Sequence, residues 1–165
     1  MTGSDKQAQS DSIFAKLEQT QFFAKAKDIA IYWSLDDEVC THRFIEKWHR
    51  QKGVYLPVVV GNDLIFKQYT GMNDMKAGAF GISEPTGPEI GDLDKIDIVI
   101  VPGIAFDANN NRMGRGRGFY DRMLSATNAY KVGVAFDCQL FQQIPANEND
   151  IAMDMTITSH KNLAK

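Results

Sequence analysis

Cysteine is scarce in this chain of 165 residues: Cys40 and Cys138 are the only two, and they lie far apart. That excludes a disulfide framework. With no apolar signal core at the N-terminus, both are expected to be reduced thiols of a cytoplasmic protein. Long hydrophobic runs are missing too. The longest stretches, around Ile29–Trp33 and Ile96–Val101, are too short to span a bilayer as helices and suit buried strands. There is no basic excess, since 18 Lys and Arg face 21 Asp and Glu for a net charge of -3. Nothing global draws such a chain to nucleic acid or to a membrane, so any anion site must be local. Histidine is rare and unpaired: His42, His49 and His160 have no metal-ligand spacing, and Cys40-Thr-His42 alone does not make a zinc site. No Ser-His-Asp grouping, cysteine-nucleophile context, internal repeat or low-complexity tract is present.

What remains is ordinary globular composition, 44% hydrophobic and 24% charged, in a length that suits one domain over residues 1–165 with a full core. Thr2–Ser10 reads as a polar, frayed arm, followed by Ile13, Phe14, Leu17 and Phe22 on one face of a helix. Asp28 opens a strand to Trp33, and a helix is expected over Glu38–Lys52. Strands Val54–Val60 and Leu64–Tyr69 flank the turn residues Gly61-Asn-Asp63 as a hairpin. Thr70–Asp94 reads as a long surface loop, and Ile96–Val101 as a central strand covered on both faces. A helix over Phe119–Thr127, a strand over Tyr130–Phe136, a short helix over Gln139–Gln143 and a last strand over Met155–Thr158 complete the pattern. Strands alternating with helices predict an α/β fold, a three-layer α/β/α sandwich with a mostly parallel sheet carrying one antiparallel hairpin.

The chemistry concentrates in one segment. Val101-Pro-Gly-Ile-Ala-Phe-Asp107 precedes Arg112-Met-Gly-Arg-Gly-Arg-Gly-Phe-Tyr-Asp-Arg122, where Gly114, Gly116 and Gly118 alternate with Arg115 and Arg117 between a strand and a helix. Glycines let backbone N–H groups approach a ligand, a helix start offers unpaired donors, and guanidinium groups grip phosphate oxygens bidentately. A polyphosphate suits all three. The pattern is neither a Walker A loop, which ends in Gly-Lys-Ser/Thr, nor a Rossmann fingerprint, which would need glycine in place of Phe119. A solvated turn and an RGG-like RNA contact are the competing readings. Position at the end of a central strand, where α/β sheets bind ligands, favours phosphate. Asp121 and Asp154 offer hard oxygens of the kind that hold Mg²⁺ beside nucleotide phosphates, though on spacing alone an isolated Asp is more often a helix cap or a surface charge.

This block resembles the signature of the 5-formyltetrahydrofolate cyclo-ligase family, Pro-Gly-x-Ala-Phe-Asp followed by Arg-Leu-Gly-x-Gly-x-Gly-Tyr-Tyr-Asp-Arg. Asp37-Glu-Val39, Leu56-Pro57, Gly81-Ile-Ser-Glu-Pro85 and Ile144-Pro-Ala-Asn-Glu-Asn-Asp150 follow in family order, so the resemblance covers the chain from Asp28 onward. It implies a fold similar to sugar-phosphate isomerases and CoA transferases. It also implies an ATP- and Mg²⁺-dependent closure of 5-formyltetrahydrofolate to 5,10-methenyltetrahydrofolate, with ADP and phosphate released, by a monomer with small-molecule partners only. In that chemistry the formyl oxygen takes the γ-phosphate and becomes a leaving group, and N10 closes the ring.

By the same resemblance Arg112, Met113, Gly114, Arg115, Gly116, Arg117, Gly118, Phe119 and Tyr120 form the ATP loop, with Arg115 and Tyr120 catalytic. Asp121 and Asp154 match the Mg²⁺ ligands, Glu38 the carboxylate that reads the pterin, and Trp33, Phe80 and Tyr120 the folate pocket. From the residues alone, the favoured readings are core for Trp33, a loop anchor for Phe80 and a helix-dipole charge for Glu38. Three departures are visible: Arg117 for lysine, Phe119 for tyrosine and Met113 for leucine. Family members also open with a helix bearing Lys-x-x-x-Arg, which is expected to be missing here because Lys6 lacks that context. A relative that holds folate and nucleotide without turnover is therefore the alternative to an active ligase.

Overall fold

The computed structural model describes all residues, Met1–Lys165, as a mixed α/β fold. Its main sheet has seven strands in the order β12-β11-β9-β6-β1-β2-β3. In chain order these are β1 (Asp28–Ile31), β2 (Gly53–Val60), β3 (Asp63–Gln68), β6 (Ile98–Val101), β9 (Tyr130–Val134), β11 (Met155–Ile157) and β12 (Asn162–Ala164). The five inner strands are parallel, and the two edge strands β3 and β12 run antiparallel to their neighbours. Every residue of β6 is buried, as its continuous β-branched run requires of a strand covered on both faces.

Alternation along the strands divides the core in two. Ile29, Ile31, Ile98, Ile100 and Val132 pack with Ile13, Phe14, Leu17, Phe23, Phe44 and Ile45, which belong to the helices α1 (Gly3–Glu18), α2 (Gln21–Lys25) and α3 (His42–Trp48). On the other face Ala30, Val99 and Val101 pack with Phe106, Met153, and Met123 and Leu124 of helix α4 (Phe119–Ser125). The expected layers are therefore present. No helix is long and apolar enough to cross a membrane.

Several boundaries differ from the sequence reading. Thr2–Ser10 does not fray: Thr2 and Asp5 form a reciprocal capping box that starts α1 at Gly3. Phe22 belongs to α2, because the Thr20 hydroxyl recaps the chain there. The helix expected from Glu38 begins at His42, since the Glu38 carboxylate accepts the Leu35 N–H and so closes a turn instead. The long loop carries a small hairpin, β4 (Met75–Ala77) with β5 (Ser83–Pro85). In place of the helix at Gln139–Gln143 stand a 3-10 turn, Asp137–Gln139, and β10 (Leu140–Phe141). β10 pairs with β7 (Ala105–Asp107), which pairs with β8 (Arg112–Met113).

That minor sheet is anchored by Asp107, which is fully buried. Its carboxylate accepts the N–H groups of Asn109 and Asn111 at 2.9 Å, the Asn111 side-chain amide at 3.0 Å and the Ile144 N–H at 3.1 Å. Burial opposes its ionisation, but those donors outweigh burial and hold it below the usual carboxylate range. Asp107→Ala is expected to cost about 3 kcal/mol by stranding the donors, read as a melting-temperature drop of roughly 6–12 °C. A depressed folded pKa stabilises fully above the unfolded value of about 3.9 and is lost as the pH falls through the folded one. Acid unfolding of the wild type below about pH 4 should therefore be blunted in Asp107→Ala, as seen in melting curves against pH.

Candidate active site

Strands β1 and β6 are parallel neighbours, and beyond their C-terminal ends Tyr32, Trp33, Pro102 and Gly103 line a cavity of about 770 Å³. This is the edge at which open parallel sheets bind ligands. One wall is the whole stretch Arg112–Asp121. It can lie flat there because Gly116 and Gly118 take φ of 93° and 70°, a region open to glycine. Gly118 thereby caps α4 and leaves its first N–H groups free of side-chain caps.

Arg112 is the fixed member of this wall. Its Nε donates to the Pro102 carbonyl at 2.6 Å, its guanidinium lies 5.2 Å from the Tyr120 ring centre, and a terminal nitrogen sits 3.8 Å from the Asp121 carboxylate. A side chain at Gly114 would meet that guanidinium at 2.6 Å. Burial pulls the Arg112 pKa down while Asp121 and the other acids pull it up. Arg115 is about half exposed and extends away from the loop to Asp37 and Glu38. Its Nη2 lies 2.9 Å from both Asp37 oxygens and 3.5 Å from Glu38. Arg117 stacks on Phe80, its guanidinium carbon 4.1 Å from the ring centre.

The opposite end is apolar and acidic. Trp33 stacks on His42 at 3.9 Å with an 18° interplanar angle, so one face of the indole is packed while the residue still lines the cavity. The Glu38 side chain is only 12% exposed. Burial pushes its carboxyl up, opposed by the Leu35 N–H and Arg115, with Asp37 reinforcing the rise. Burial likewise raises the Tyr120 phenol, partly offset by Arg112, so it stays protonated. Phe80 is 54% exposed on the rim, with φ of 59°. A non-glycine residue there is strained, and such strain gathers at ligand clamps.

Trp33, Glu38, Phe80 and every residue from Arg112 to Asp121 thus meet in one cavity. Asp154 does not. It sits one residue before β11, where its carboxylate accepts the Lys131 N–H at 2.9 Å at the opposite, N-terminal end of the sheet. The other aspartate in the cavity wall, with Asp121, is Asp150. The segment that carries it is tied to Asp121 directly, since the Ile151 N–H donates to that side chain at 3.3 Å. No cluster of three or more His, Cys, Asp or Glu side chains gathers anywhere. A hard cation would depend on one or two carboxylates plus ligand oxygens, the arrangement typical of Mg²⁺ with a nucleotide.

A glycine-arginine loop and a carboxylate pocket meet at the C-terminal edge of a parallel sheet, the place where α/β enzymes bind their ligands. The chain belongs to the 5-formyltetrahydrofolate cyclo-ligase family, whose model matches residues 1–159. The 5-formyltetrahydrofolate cyclo-ligase of Haemophilus influenzae is 37% identical over 146 residues, covering 83% of this chain and 76% of that protein. That of Escherichia coli K12 is also 37% identical over 146 residues, covering 82% and 80%. Among solved structures, the 5,10-methenyltetrahydrofolate synthetase of Aquifex aeolicus superposes with a TM-score of 0.90 at 30% identity, covering 99% of this chain and 84% of that one.

Proposed function

We propose that the protein is a ligase that closes 5-formyltetrahydrofolate to 5,10-methenyltetrahydrofolate at the expense of ATP. One observation carries the reading: the phosphate-type loop and the acidic, aromatic pocket share a single cavity, close enough for Arg115 to stand 3.5 Å from Glu38. Two reactants held this close turn a bimolecular phosphoryl transfer into a positioned one.

In this reading the loop N–H groups and Arg112 hold the ATP phosphates, and Arg115 swings from Asp37 to the γ-phosphate as charge builds on it. Trp33 and Phe80 sandwich the folate, and Glu38 accepts paired hydrogen bonds from its aminopyrimidine edge. The formyl oxygen attacks the γ-phosphorus and ADP leaves. N10 then attacks the formyl carbon, loses its proton, and phosphate departs with the former formyl oxygen. Protonated Tyr120, its ring held by Arg112, can donate a hydrogen bond to that oxygen. Asp121 and Asp150 fit Mg²⁺, whose bound charge would neutralise the phosphates. A cytoplasmic monomer suits a reaction fed by ATP and reduced folate, where Cys40 and Cys138 stay reduced. The test is ultraviolet absorbance of methenyltetrahydrofolate: product should appear only when ATP, Mg²⁺ and 5-formyltetrahydrofolate are all present, and none at high enzyme concentration would refute the assignment.

A further inference from the structure

Glu84 is a carboxylate in the wrong place for a structural residue. It lies on β5, is 7% exposed and lines the same cavity as Trp33, Phe80 and the arginine loop. Its Oε2 accepts the Val59 N–H of β2 at 3.1 Å, which fixes the side chain. Its Oε1 has no hydrogen-bond partner in the protein, yet it is not among the fully enclosed unpartnered atoms, which are Asn110 Oδ1 and Thr156 Oγ1. A buried carboxyl with one oxygen anchored and the other open to a cavity needs a donor from outside the chain. The fold makes room for this arrangement at Gly78, where a Cβ would fall 2.2 Å from the Glu84 carboxyl carbon.

We infer that Glu84 is a second substrate-positioning carboxylate, its Oε1 accepting an N–H of the reduced pterin ring. The inference rests on the folate reading above and adds to it a specificity-determining residue. Charge separates the two ends of the cavity: Arg112, Arg115 and Arg117 suit phosphate oxygens, while Glu38 and Glu84 suit donors. Glu38 already spends Oε2 on the Leu35 N–H and holds Oε1 near Arg115. Of these two glutamates, Glu84 is the one with an oxygen that no protein group claims. A reduced pterin has ring and amino N–H groups on more than one edge, enough for a carboxylate on each of two cavity walls.

Glu84→Gln is the test, because its amide carbonyl still accepts the Val59 N–H and its volume is unchanged. Its NH2 would then face the pterin N–H, donor against donor. The KM for 5-formyltetrahydrofolate should rise about 10- to 100-fold, the usual range for a hydrogen bond to a charged group, with kcat, ATP KM and melting temperature little moved. A folate KM within twofold of wild type, or a rise in ATP KM instead, would overturn the inference. Should Glu84→Gln melt lower, Glu84→Asp, which withdraws the charge from the cavity, must show the same folate-selective loss. If wild type makes no product, the folate reading itself fails. Calorimetric folate affinities of the two proteins then still judge Glu84, equal values overturning its role.

Discussion

Replacing Arg115 with alanine is expected to lower kcat for ring closure by about 10³-fold, the scale of an arginine that meets transition-state charge during phosphoryl transfer. Melting temperature should move by only about 2 °C. The side chain is 49% exposed and its Asp37 partner 66%, and an ion pair so open to water contributes no more than about 1 kcal/mol. Arg115→Lys should recover part of the rate but not all, since an ammonium keeps the charge and loses the planar fork. Steady-state kinetics beside thermal melts would decide. A melting-temperature fall large enough to explain the lost activity would make the loop a scaffold rather than a phosphate site.

The second large effect separates Asp150 from Asp154. Asp150→Ala should cut turnover by about 10²-fold or more at low Mg²⁺ and raise the Mg²⁺ concentration needed for half-maximal rate, because it removes one of the two aspartates in the cavity wall. Asp154→Ala should do the opposite. It strands the Lys131 N–H at the far end of the sheet, costing about 1–2 kcal/mol of stability, while the folded fraction keeps its rate and Mg²⁺ dependence. Mg²⁺ titrations of both variants read this directly. A Mg²⁺ shift confined to Asp154→Ala would reverse the assignment.

That pair also shows where sequence reading succeeds and fails. Arg112–Asp121 was legible because glycine alternation and cationic charge are local properties, and one loop carries the whole pattern. Trp33 and Glu38 were matched only through the family resemblance, and the helix placed at Glu38 starts four residues later, once the carboxylate is committed to the Leu35 N–H. Asp150 closes a segment that carries the family resemblance, Ile144-Pro-Ala-Asn-Glu-Asn-Asp150, but nothing in its local chemistry marks it as a site residue. Only the tie of Ile144 to Asp107, and of Ile151 to Asp121, brings that segment over the cavity. Asp154 was matched to a metal ligand through the family resemblance, and no local pattern set it apart from Asp150. Strands of two or three residues such as β8 and β10 have too little pattern to read, since their partners are set by the Asp107 turn. The start of α1 could have been found, because Thr2 and Asp5 have capping-box spacing.

The proposed ring closure turns on one chemical event, transfer of the γ-phosphate to the formyl oxygen in the cavity that holds the arginine loop, Glu38 and Trp33. Its most direct measurement uses 5-formyltetrahydrofolate labelled with ¹⁸O in the formyl group, with unlabelled ATP and water, and mass spectrometry of the phosphate released. One labelled oxygen should appear in inorganic phosphate for each methenyltetrahydrofolate formed. Methenyltetrahydrofolate accompanied by unlabelled phosphate would contradict the account, because the formyl oxygen would then have left without ever having been phosphorylated.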